Sequence, residues 1–382
     1  MKYHMPTQVR FGPGTIRGFG AIVNDTLKAT RPFLVTDKRI EAAGILMQVR
    51  EPLAGVPVFD EVEPNPKHMT VNRAGEIVRA LKPDLVIGLG GGSVLDTAKA
   101  IALLAMNPGG IEEYEGREKY KATPLPVLAI PTTCGTGSEV TWVAVITHVE
   151  RKFKMSIKGL QMYPAVALVD PDLLVNLPPL LVASTGLDAL THALEAYTAK
   201  PASFLTDMLA LEALRLIFRH LPAAYQDIKQ NAEAREGLML GSLLAGMAFG
   251  NSDVGAVHCL AESVGSLYDT PHGVACAVFL PYVMEFNLPA AKAKYARIAA
   301  VSGIQARDQE EAAAGLIHKI QEFSLALSIP AFRDLKIPER DFDLIAQKSF
   351  ANNSNPSNPR EAGVKDYLDI LRRASFLNSA PV

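Results

Sequence analysis

The chain has few of the sequence features that are typical of secreted or membrane proteins. Its three cysteines, Cys134, Cys259 and Cys276, are odd in number and form no CxxC pair, so no disulfide framework is expected. No apolar run reaches the roughly 18 residues that a membrane-spanning helix needs. The N-terminal segment MKYHMPTQVRFGPG lacks the apolar stretch of a signal peptide. A cytoplasmic protein without a membrane segment is therefore expected.

An excess of charge of either sign is also missing. The formal net charge is −2, and charged residues make up 20% of the chain. Neither nucleic acid nor an anionic membrane surface is therefore expected as a partner. With 382 residues, of which 48% are hydrophobic, the chain is long enough to form two domains with separate cores.

The first half of the sequence alternates short apolar runs with amphipathic stretches. Five runs have the length and residue types of buried strands, namely FLVTD (33–37), VPVFD (56–60), DLVIGLGGG (84–92), PVLAIPTT (126–133) and VALVDPDLL (166–174). Strands that alternate with helices indicate a parallel sheet covered by helices on both faces. Residues 1–178 are therefore predicted to form an α/β domain.

The pattern changes at NLPPLL, where Pro178 and Pro179 interrupt it. From Ala183 onward, Ala- and Leu-rich amphipathic segments such as SFLTDMLALEALRLIFRHL predominate, which is typical of helices. Residues 179–382 are therefore predicted to form an all-helical domain. An Asn- and Pro-rich segment at 351–363 is expected to be a loop before the last helix.

A glycine-rich turn with Gly88, Gly90, Gly91 and Gly92 follows an apolar strand and precedes a helix. Glycines let the backbone approach a pyrophosphate closely, and the helix N-terminus adds free N–H groups and a positive dipole end. The match to GxGxxG is imperfect, because Ser93 replaces the third glycine and the turn does not open the first strand–helix unit. A tight structural turn is the alternative to a dinucleotide site.

Two further features favour NAD. Asp37 ends FLVTD, where its carboxylate would accept hydrogen bonds from the adenosine ribose and repel a 2′-phosphate, so NAD is favoured over NADP. A second polar turn, PTTCGTGSEVT (131–141), follows another buried strand, and its hydroxyls and amides would line the same crevice. The alternative is an ordinary Thr/Gly loop. Cys134 has no evident base partner in the sequence, so a nucleophilic role is not expected.

Four residues in the middle third have the chemistry of metal ligands. Asp188 and His192 are four residues apart in GLDALTHALEAY, so on a helix they share a face. His258 and His272 follow in DVGAVHCLAESVGSLYDTPHGVA. One carboxylate and three imidazoles suit Fe(II) or Zn(II) with an open position for a substrate. Glu195 is either a competing carboxylate or a charge on the helix surface.

Several of these segments together resemble the iron-containing (group III) alcohol dehydrogenase family. The matching pieces occur in the family's order and span most of the chain: GGGSVLDTAKA, PTTCGTGSEVT, DPDL, GLDALTHALEAY and VHCLAESVGSLYDTPHGVA. The resemblance implies a nucleotide-binding α/β domain and an all-helical metal domain, with the active site in the cleft between them. It also implies an NAD-dependent enzyme that acts on alcohols or aldehydes, assembled as a homodimer or a larger homo-oligomer.

The resemblance also assigns roles to residues. It implies that Asp188, His192, His258 and His272 hold the divalent metal, usually Fe(II), which Zn(II) could replace. Asp37 matches the acidic position associated with NAD preference, and Lys154 matches a lysine that reaches the ribose. The full set of positions that match cofactor contacts is Asp37, Asn65, Gly91, Gly92, Ser93, Asp96, Thr132, Thr133, Thr141 and Lys154.

The sequence departs from the family pattern at two acidic residues. Many members have a second histidine four residues after the ligand that His258 matches, near the nicotinamide and often assigned to a proton relay; here that position is Glu262. Glu262 is predicted to be the catalytic residue that carries protons. The alternatives are support of a metal ligand, a contact to a hydroxyl or cationic group of the substrate, or a structural ion pair. Asp253 stands where a small residue is more frequent, and two acidic residues disfavour an anionic substrate.

The predicted reaction converts a small alcohol and NAD reversibly into an aldehyde or ketone and NADH. The metal would act as a Lewis acid on the substrate oxygen, and the nicotinamide would carry the hydride. The alternative is a lyase that uses metal and NAD, as in the dehydroquinate synthase branch, but Asp188 and His258 have no Lys/Arg cluster nearby in sequence. The intact ligand set disfavours a catalytically silent nucleotide-binding protein. Trp142, Phe249 and Cys259 are candidates for the pocket wall or for core packing.

Overall fold

The computed structural model describes residues 2–50 and 54–376. These residues group into two compact units. The first, here called the α/β unit, comprises His4–Leu177 and Ile228–Met239. The second, the helical unit, comprises residues 2–3, Pro178–Asp227 and the described chain from Leu240. All strands of the described chain end before residue 170, and long helices follow. The predicted fold class, α/β followed by all-helical, is therefore confirmed.

The α/β unit contains the strands β1 (Gln8–Phe11), β2 (Pro32–Val35), β3 (Val58–Phe59), β4 (Leu85–Gly90), β5 (Gly116–Arg117), β6 (Val127–Pro131), β7 (Val143–His148), β8 (Phe153–Lys158) and β9 (Val166–Val169). Six of them form a sheet in the order β1-β9-β6-β4-β2-β3, in which every pair is parallel. The other three form a small sheet in the order β5-β8-β7. The central strands β4 and β6 are buried along their whole length, which explains their near-continuous apolar sequences.

Helices cover both faces of the large sheet. They are α1 (Phe19–Ala21), α2 (Lys38–Ala42), α3 (Ile45–Arg50), α4 (His68–Leu81) and α5 (Gly92–Met106). Side chains of α2 and α3 share a core cluster with Leu34 and Ile87, whereas side chains of α4 and α5 share one with Phe33 and Val86. Successive strand residues point to opposite faces, so the helices that follow the neighbours β2 and β4 lie on opposite sides of the sheet. This reversal is a topological switch point, beyond which α/β proteins bind ligands.

The small sheet was not expected from the sequence. Strands β7 and β8 pair antiparallel from Val143–Lys158 to His148–Phe153, as a hairpin around the turn VERK. Ile146 and Met155 from this hairpin join the core cluster that contains Leu103 of α5. The runs that form β7 and β8 are rich in apolar residues. However, a pattern of alternating strands and helices does not predict a hairpin between β6 and β9.

Two expected strands are shorter than their apolar runs. The run 166–174 ends as β9 at Val169, because Pro171 begins a 3₁₀ turn that Asp170 caps by accepting the N–H of Asp172 at 2.9 Å. The run 56–60 contributes only β3, a two-residue strand at the edge of the sheet. Strand β1 was missed because its four residues, QVRF, alternate with partial exposure and lack a long apolar run.

The remaining helices are α6 (Pro179–Thr198), α7 (Phe204–Asp227), α8 (Ala232–Phe249), α9 (Ala256–Tyr268), α10 (His272–Val301), α11 (Gln309–Ala326), α12 (Phe342–Phe350) and α13 (Val364–Phe376). By length and composition alone, α10 qualifies as a membrane-spanning helix, which the sequence analysis missed because Glu285 and Asn287 interrupt its apolar run. However, 72% of its most apolar 18-residue window is buried inside the protein, as expected of a core helix.

Candidate metal centre and cofactor-binding turns

Helix α6 carries the first two predicted metal ligands. The helix begins at Pro179, where a proline is tolerated because the first N–H groups have no intrahelical acceptor. Asp188 and His192 lie one turn apart in its middle and are 2% and 5% exposed. His192 Nδ1 is 3.7 Å from Asp188 Oδ1. The predicted shared face of this helix is therefore formed, and it points into the protein.

Helices α9 and α10 bring the other two predicted ligands to the same place. His258 lies in the first turn of α9, and His272 is the first residue of α10 after Pro271. Gly273 lets α10 approach α6 closely, because a Cβ at this position would overlap the backbone carbonyl of Ser184 and crowd Asp188. The short segment Pro271–Gly273 thus fixes where His272 stands.

The four side chains converge on one small volume. Asp188 Oδ1 lies 3.8 Å from His258 Nε2 and 3.7 Å from His272 Nε2, and the Nε2 atoms of His192 and His258 are 2.9 Å apart. Ligands that each stand about 2.0–2.2 Å from a metal are separated by distances of this order. The donor set therefore fits a divalent metal in both chemistry and spacing.

Cys276 is a further donor that the sequence analysis overlooked. Its buried thiol lies 3.7 Å from His272 Nε2, and its sulfur, Asp188, His258 and His272 all offer ligand atoms within 4.8 Å of one another. The signal in the sequence was the spacing His272-x3-Cys276, the same interval that joins Asp188 to His192. Because thiolate favours softer metals, Cys276 bears on which ion the site accepts.

Glu195 is neither a competing ligand nor a surface charge. It is 4% exposed, and its Oε2 lies 2.6 Å from His258 Nδ1. Burial by itself lowers the pKa of the His258 imidazole, but the hydrogen bond and charge of Glu195 outweigh it, so the pKa is raised; Asp188 and Glu262 add to this effect. The carboxylate thus contacts the predicted ligand His258 at Nδ1, while Nε2 of the same ring faces Asp188.

Glu262 is partly exposed, and its charge acts on His258. It is the one partly exposed residue between Ala256 and Gly265 on α9, and the side chain of His272 is 26% exposed. Asn352 donates a hydrogen bond of 2.6 Å to Glu262 Oε2. The predicted catalytic carboxylate therefore has a fixed orientation and access to water, one helical turn from His258.

Asp253, the second acidic residue that departs from the family pattern, accepts hydrogen bonds from the Asn/Pro-rich loop. Its Oδ1 accepts hydrogen bonds from Ser354 Oγ at 3.0 Å and Val254 N–H at 2.9 Å, and its Oδ2 accepts one from Ser357 Oγ at 2.7 Å. The two serines lie 101 and 104 residues away in sequence, so no local pattern could have found them. Asp253 anchors this loop to the segment before α9.

The three suggested wall residues differ in their surroundings. Phe249 stacks on His192 with ring centroids 4.2 Å apart, so it borders the metal centre. Cys259 is fully buried, and burial raises the pKa of its thiol well above the ordinary value, which makes it a core residue. Trp142 belongs to the α/β unit, where Arg117 lies over its ring.

In the α/β unit, the two predicted cofactor turns leave neighbouring parallel strands. Gly90 on β4 pairs with Pro131 on β6, so both turns begin at the same edge of the sheet. Gly91 caps the N-terminus of α5, and a Cβ there would lie 3.1 Å from Thr133 Cγ2. A Cβ at Gly92 would overlap the side chain of Thr136. The glycines are thus needed for the turns to touch, whether or not a phosphate is bound.

Asp96 and Lys99 lock the same two turns together. Asp96 accepts hydrogen bonds from Ser138 Oγ at 2.5 Å and from Val145 N–H at 2.9 Å. Lys99, which is 1% exposed, donates to the carbonyls of Ser138 and Val143. Burial lowers the pKa of Lys99, although the nearby Asp96 carboxylate opposes this. Asp96 therefore acts on the turn through Ser138 rather than by pointing freely towards a ligand.

The second turn also holds a buried acid and the predicted threonines. Burial raises the pKa of Glu139 to about 7, although a backbone hydrogen bond and Lys99 oppose the shift. Thr132 is buried and donates its N–H to the Gly90 carbonyl at 3.0 Å, whereas Thr141 Oγ1 donates to the Ser138 carbonyl at 3.4 Å. Thr133 and Ser93 are partly exposed, beside Gly91 and Gly92. Cys134 is buried with no exposed surface, consistent with no nucleophilic role.

The remaining cofactor candidates are Asp37, which follows β2, and the pair Asn65 and Lys154. Asp37 caps α2. Its Oδ1 accepts the N–H groups of Arg39 and Ile40, and its Oδ2 takes no part in this cap. Asn65 has a left-handed backbone with φ of 51°, and its Oδ1 accepts a hydrogen bond of 2.8 Å from Lys154 Nζ. The structure thus brings together Asn65 and Lys154, which are 89 residues apart in sequence.

Another group of ligand-type side chains lies at the end of β7. His68 Nε2 and His148 Nδ1 stand 3.4 and 3.1 Å from the same oxygen of Glu150, and the two imidazoles are stacked at 4.4 Å. His68 Nδ1 also accepts the N–H of Val149 at 3.4 Å, so its proton is on Nε2. The group fastens the β7–β8 turn, and its three side chains offer ligand atoms within 4.8 Å of one another.

Comparisons with known proteins identify the class to which this fold and centre belong. Residues 6–171 match the family model for iron-containing alcohol dehydrogenase, and residues 182–375 match the C-terminal model of the Fe-containing alcohol dehydrogenase family. Together these matches cover most of the chain. The chain belongs to the iron-containing alcohol dehydrogenase family, which confirms the predicted family and the dehydrogenase class.

Individual relatives agree over almost their whole length. The chain is 40% identical to 1,3-propanediol dehydrogenase of Citrobacter freundii, covering 97% of this chain and 98% of that protein. It is 37% identical to NAD-dependent methanol dehydrogenase of Bacillus methanolicus, covering 95% and 98%. Among solved structures, a 1,3-propanediol oxidoreductase superposes with a TM-score of 0.93 at 39% identity, covering 98% and 99% of the two chains.

Proposed function

We propose that this protein interconverts a small alcohol and its aldehyde or ketone, using NAD(H) and a divalent metal. Fe(II) is the first candidate for this metal. The observation that carries the proposal is the convergence of Asp188, His192, His258 and His272, in which Asp188 Oδ1 lies 3.7, 3.8 and 3.7 Å from a nitrogen of the three histidines and the Nε2 atoms of His192 and His258 are 2.9 Å apart. A chain of the iron-containing alcohol dehydrogenase family with this donor set retained has what the reaction requires.

The four side chains would hold the metal, with Glu195 and Phe249 supporting the histidines from behind. A metal bound there would supply Lewis-acid polarisation of the substrate oxygen. The protein itself contributes fixed positions: buried ligands, and one side open to solvent at His272 and Glu262 through which a substrate would enter. Because Cys276 adds a soft donor, Zn(II) is a second candidate ion.

The turn Gly91–Ser93 at the start of α5 would bind the pyrophosphate of NAD, with Thr132, Thr133 and Thr141 lining the crevice. Asn65 and Lys154 would contact the ribose as a pair, since they already share a hydrogen bond. The free oxygen of Asp37 would accept from the adenosine ribose, and its charge would repel a 2′-phosphate, so NAD is favoured over NADP. Asp96 would hold the two turns in place.

The assay that tests this function follows NADH absorbance with metal-loaded protein and a panel of short alcohols and aldehydes. Turnover is expected with NAD(H) and should be at least about tenfold slower with NADP(H). It should be lost on chelation and restored by adding Fe(II). If no member of a broad panel changes the NADH absorbance, the dehydrogenase assignment is wrong. A substrate consumed without net NADH would point instead to the metal- and NAD-using lyase.

Glu262 is expected to move the proton that the reaction releases. Replacing Glu262 by glutamine should lower kcat by about 100-fold at neutral pH, because general acid–base groups typically contribute 10²–10⁴. Metal content should not change, since Asn352 still has an oxygen to bind. Glu262→His, which restores an ionisable group, should recover most of the rate, with a pH profile shifted towards that of an imidazole.

The pH dependence of kcat separates this role from simple packing. If Glu262→Gln keeps the wild-type kcat and pH profile, Glu262 does not carry protons. A variant that loses only affinity for one class of alcohol would instead assign Glu262 to substrate recognition. Assembly as a homodimer or larger homo-oligomer and a cytoplasmic location remain predictions, which sedimentation and cell fractionation would test.

A further inference from the structure

We propose that Glu195 is a positioning residue that fixes both the orientation and the tautomer of His258, and so sets the affinity of the metal centre. This inference rests on the metal site of the proposed function. It concerns a residue that the sequence alone left as a competing ligand or a surface charge.

Both carboxylate oxygens of Glu195 contact residues 255–258. Its Oε2 accepts the N–H of Gly255 at 2.9 Å and lies 2.6 Å from His258 Nδ1, while its Oε1 accepts the N–H of Val257 at 2.8 Å. The residue is 4% exposed and lies on α6, one turn beyond His192. One carboxylate therefore joins α6 to the first turn of α9 at the point where that turn carries a metal ligand.

The backbone around this carboxylate is shaped to receive it. A Cβ at Gly255 would lie 3.0 Å from Glu195 Oε1 and 2.9 Å from Asn358 Oδ1, which is tighter than ordinary contacts. The N–H groups at the start of α9 have no partner within the helix and form its positive end, which favours an anion. Glu195 thus takes the place of a local capping side chain, because Gly255 has none.

The same contacts decide where the proton of His258 resides. A carboxylate whose oxygens already accept two N–H groups can only accept from the imidazole, so His258 Nδ1 carries the hydrogen. The lone pair of Nε2 then faces Asp188 Oδ1 at 3.8 Å and His192 Nε2 at 2.9 Å. The opposite tautomer would direct an N–H into the donor set. Glu195 therefore keeps His258 in the form that can bind a metal.

Asn358 provides a matched control, because it caps the same helix terminus without reaching His258. Its Oδ1 accepts the N–H of Ala256 at 3.2 Å, and it exchanges hydrogen bonds with Asn287. It is fully buried. Loss of Asn358 would weaken the start of α9 but leave the contact between Glu195 and His258 in place.

The test compares wild-type protein, Glu195→Gln and Asn358→Ala, each stripped of metal and titrated with Zn²⁺ against a competing chelator. Thermal unfolding of the metal-free proteins is measured in parallel. Glu195→Gln is expected to lower the Zn²⁺ affinity by about 10–100-fold, the usual effect of losing the carboxylate behind a metal-bound histidine. Asn358→Ala is expected to lower the unfolding temperature but to leave the affinity within about threefold of wild type, since the four proposed ligands and the contact between Glu195 and His258 remain.

Two results would overturn the inference while leaving the metal site intact: an unchanged affinity in Glu195→Gln, or an equal loss of affinity in Asn358→Ala. Should Glu195→Gln fail to fold, Glu195→Asp serves instead, since the shorter side chain keeps the charge but withdraws from His258. The same loss of affinity is expected of it, and wild-type affinity would contradict the proposal. Wild-type protein that binds neither Zn²⁺ nor Fe²⁺ would overturn the proposed function together with this inference.

Discussion

Replacing Gly273 by alanine is expected to abolish stoichiometric metal binding in the purified protein. The added Cβ would overlap the backbone carbonyl of Ser184 and stand 3.3 Å from Asp188 Cβ, and neither can retreat within the packed helix α6. Helix α10 must therefore move away, and His272, the residue before the glycine, moves with it. Overpacking of this kind costs about 1–3 kcal/mol of stability. The protein should therefore still fold, but its four proposed ligands should no longer lie close enough together to bind one metal.

The measurement is metal content after anaerobic reconstitution with Fe(II), together with the Zn²⁺ affinity of the stripped protein. Gly315→Ala is the matched control, because this glycine also lies in a helix, α11, and a Cβ there meets nothing closer than 3.4 Å. Gly315→Ala should bind metal as the wild type does. Full metal content in Gly273→Ala would show that the position of His272 does not depend on this close approach.

Replacing Gly92 by alanine is expected to raise the KM for NAD by about tenfold or more, corresponding to at least 1.4 kcal/mol of lost cofactor binding, while metal content stays unchanged. A Cβ at Gly92 would overlap Thr136 Oγ1 and Cγ2, so the glycine turn and the Thr/Gly turn must separate. Because the proposed pyrophosphate site is made by the backbone of the first turn, this separation misplaces its N–H groups.

A rescue experiment distinguishes this steric cause from general damage. In Gly92→Ala combined with Thr136→Gly, all three overlapping side-chain atoms of residue 136 are gone, so the KM for NAD should return towards the wild-type value. Gly18→Ala, where a Cβ meets nothing within 4 Å, should have no effect on KM. An unchanged KM in Gly92→Ala would mean that NAD is not bound at this turn, and failure of the rescue would mean that Thr136 is not the obstacle.

Local features of this protein were readable from the sequence. The strands around Asp37, Gly90 and Thr132 were recognised because buried parallel strands leave short apolar runs that end in polar or glycine-rich turns. The shared face of Asp188 and His192 followed from helical spacing alone. The family resemblance then ordered these pieces, and the fold class was confirmed.

What could not be predicted depends on contacts between distant parts of the chain. The spacing of residues in the sequence does not predict that Glu195 accepts hydrogen bonds from the backbone of residues 255–257. Nor does it predict that Asp253 accepts hydrogen bonds from serines about a hundred residues later. The approach of α10 to α6 at Gly273 likewise depends on how two helices pack, which single-helix periodicity does not encode. Cys276 was hidden for the same reason, although its interval to His272 was visible.

The central claim is that Asp188, His192, His258 and His272 hold one divalent metal. The most direct measurement is elemental analysis of anaerobically purified wild-type protein beside Asp188→Ala, each reconstituted with Fe(II) and desalted. Asp188 is the choice because its Oδ1 lies within 3.8 Å of a nitrogen from each of the three histidines. The account predicts about one Fe per wild-type chain and less than about a tenth of that in the variant, since a buried three-histidine set without its carboxylate loses both charge and a ligand. Equal metal content in the two proteins, or none in the wild type, would contradict it.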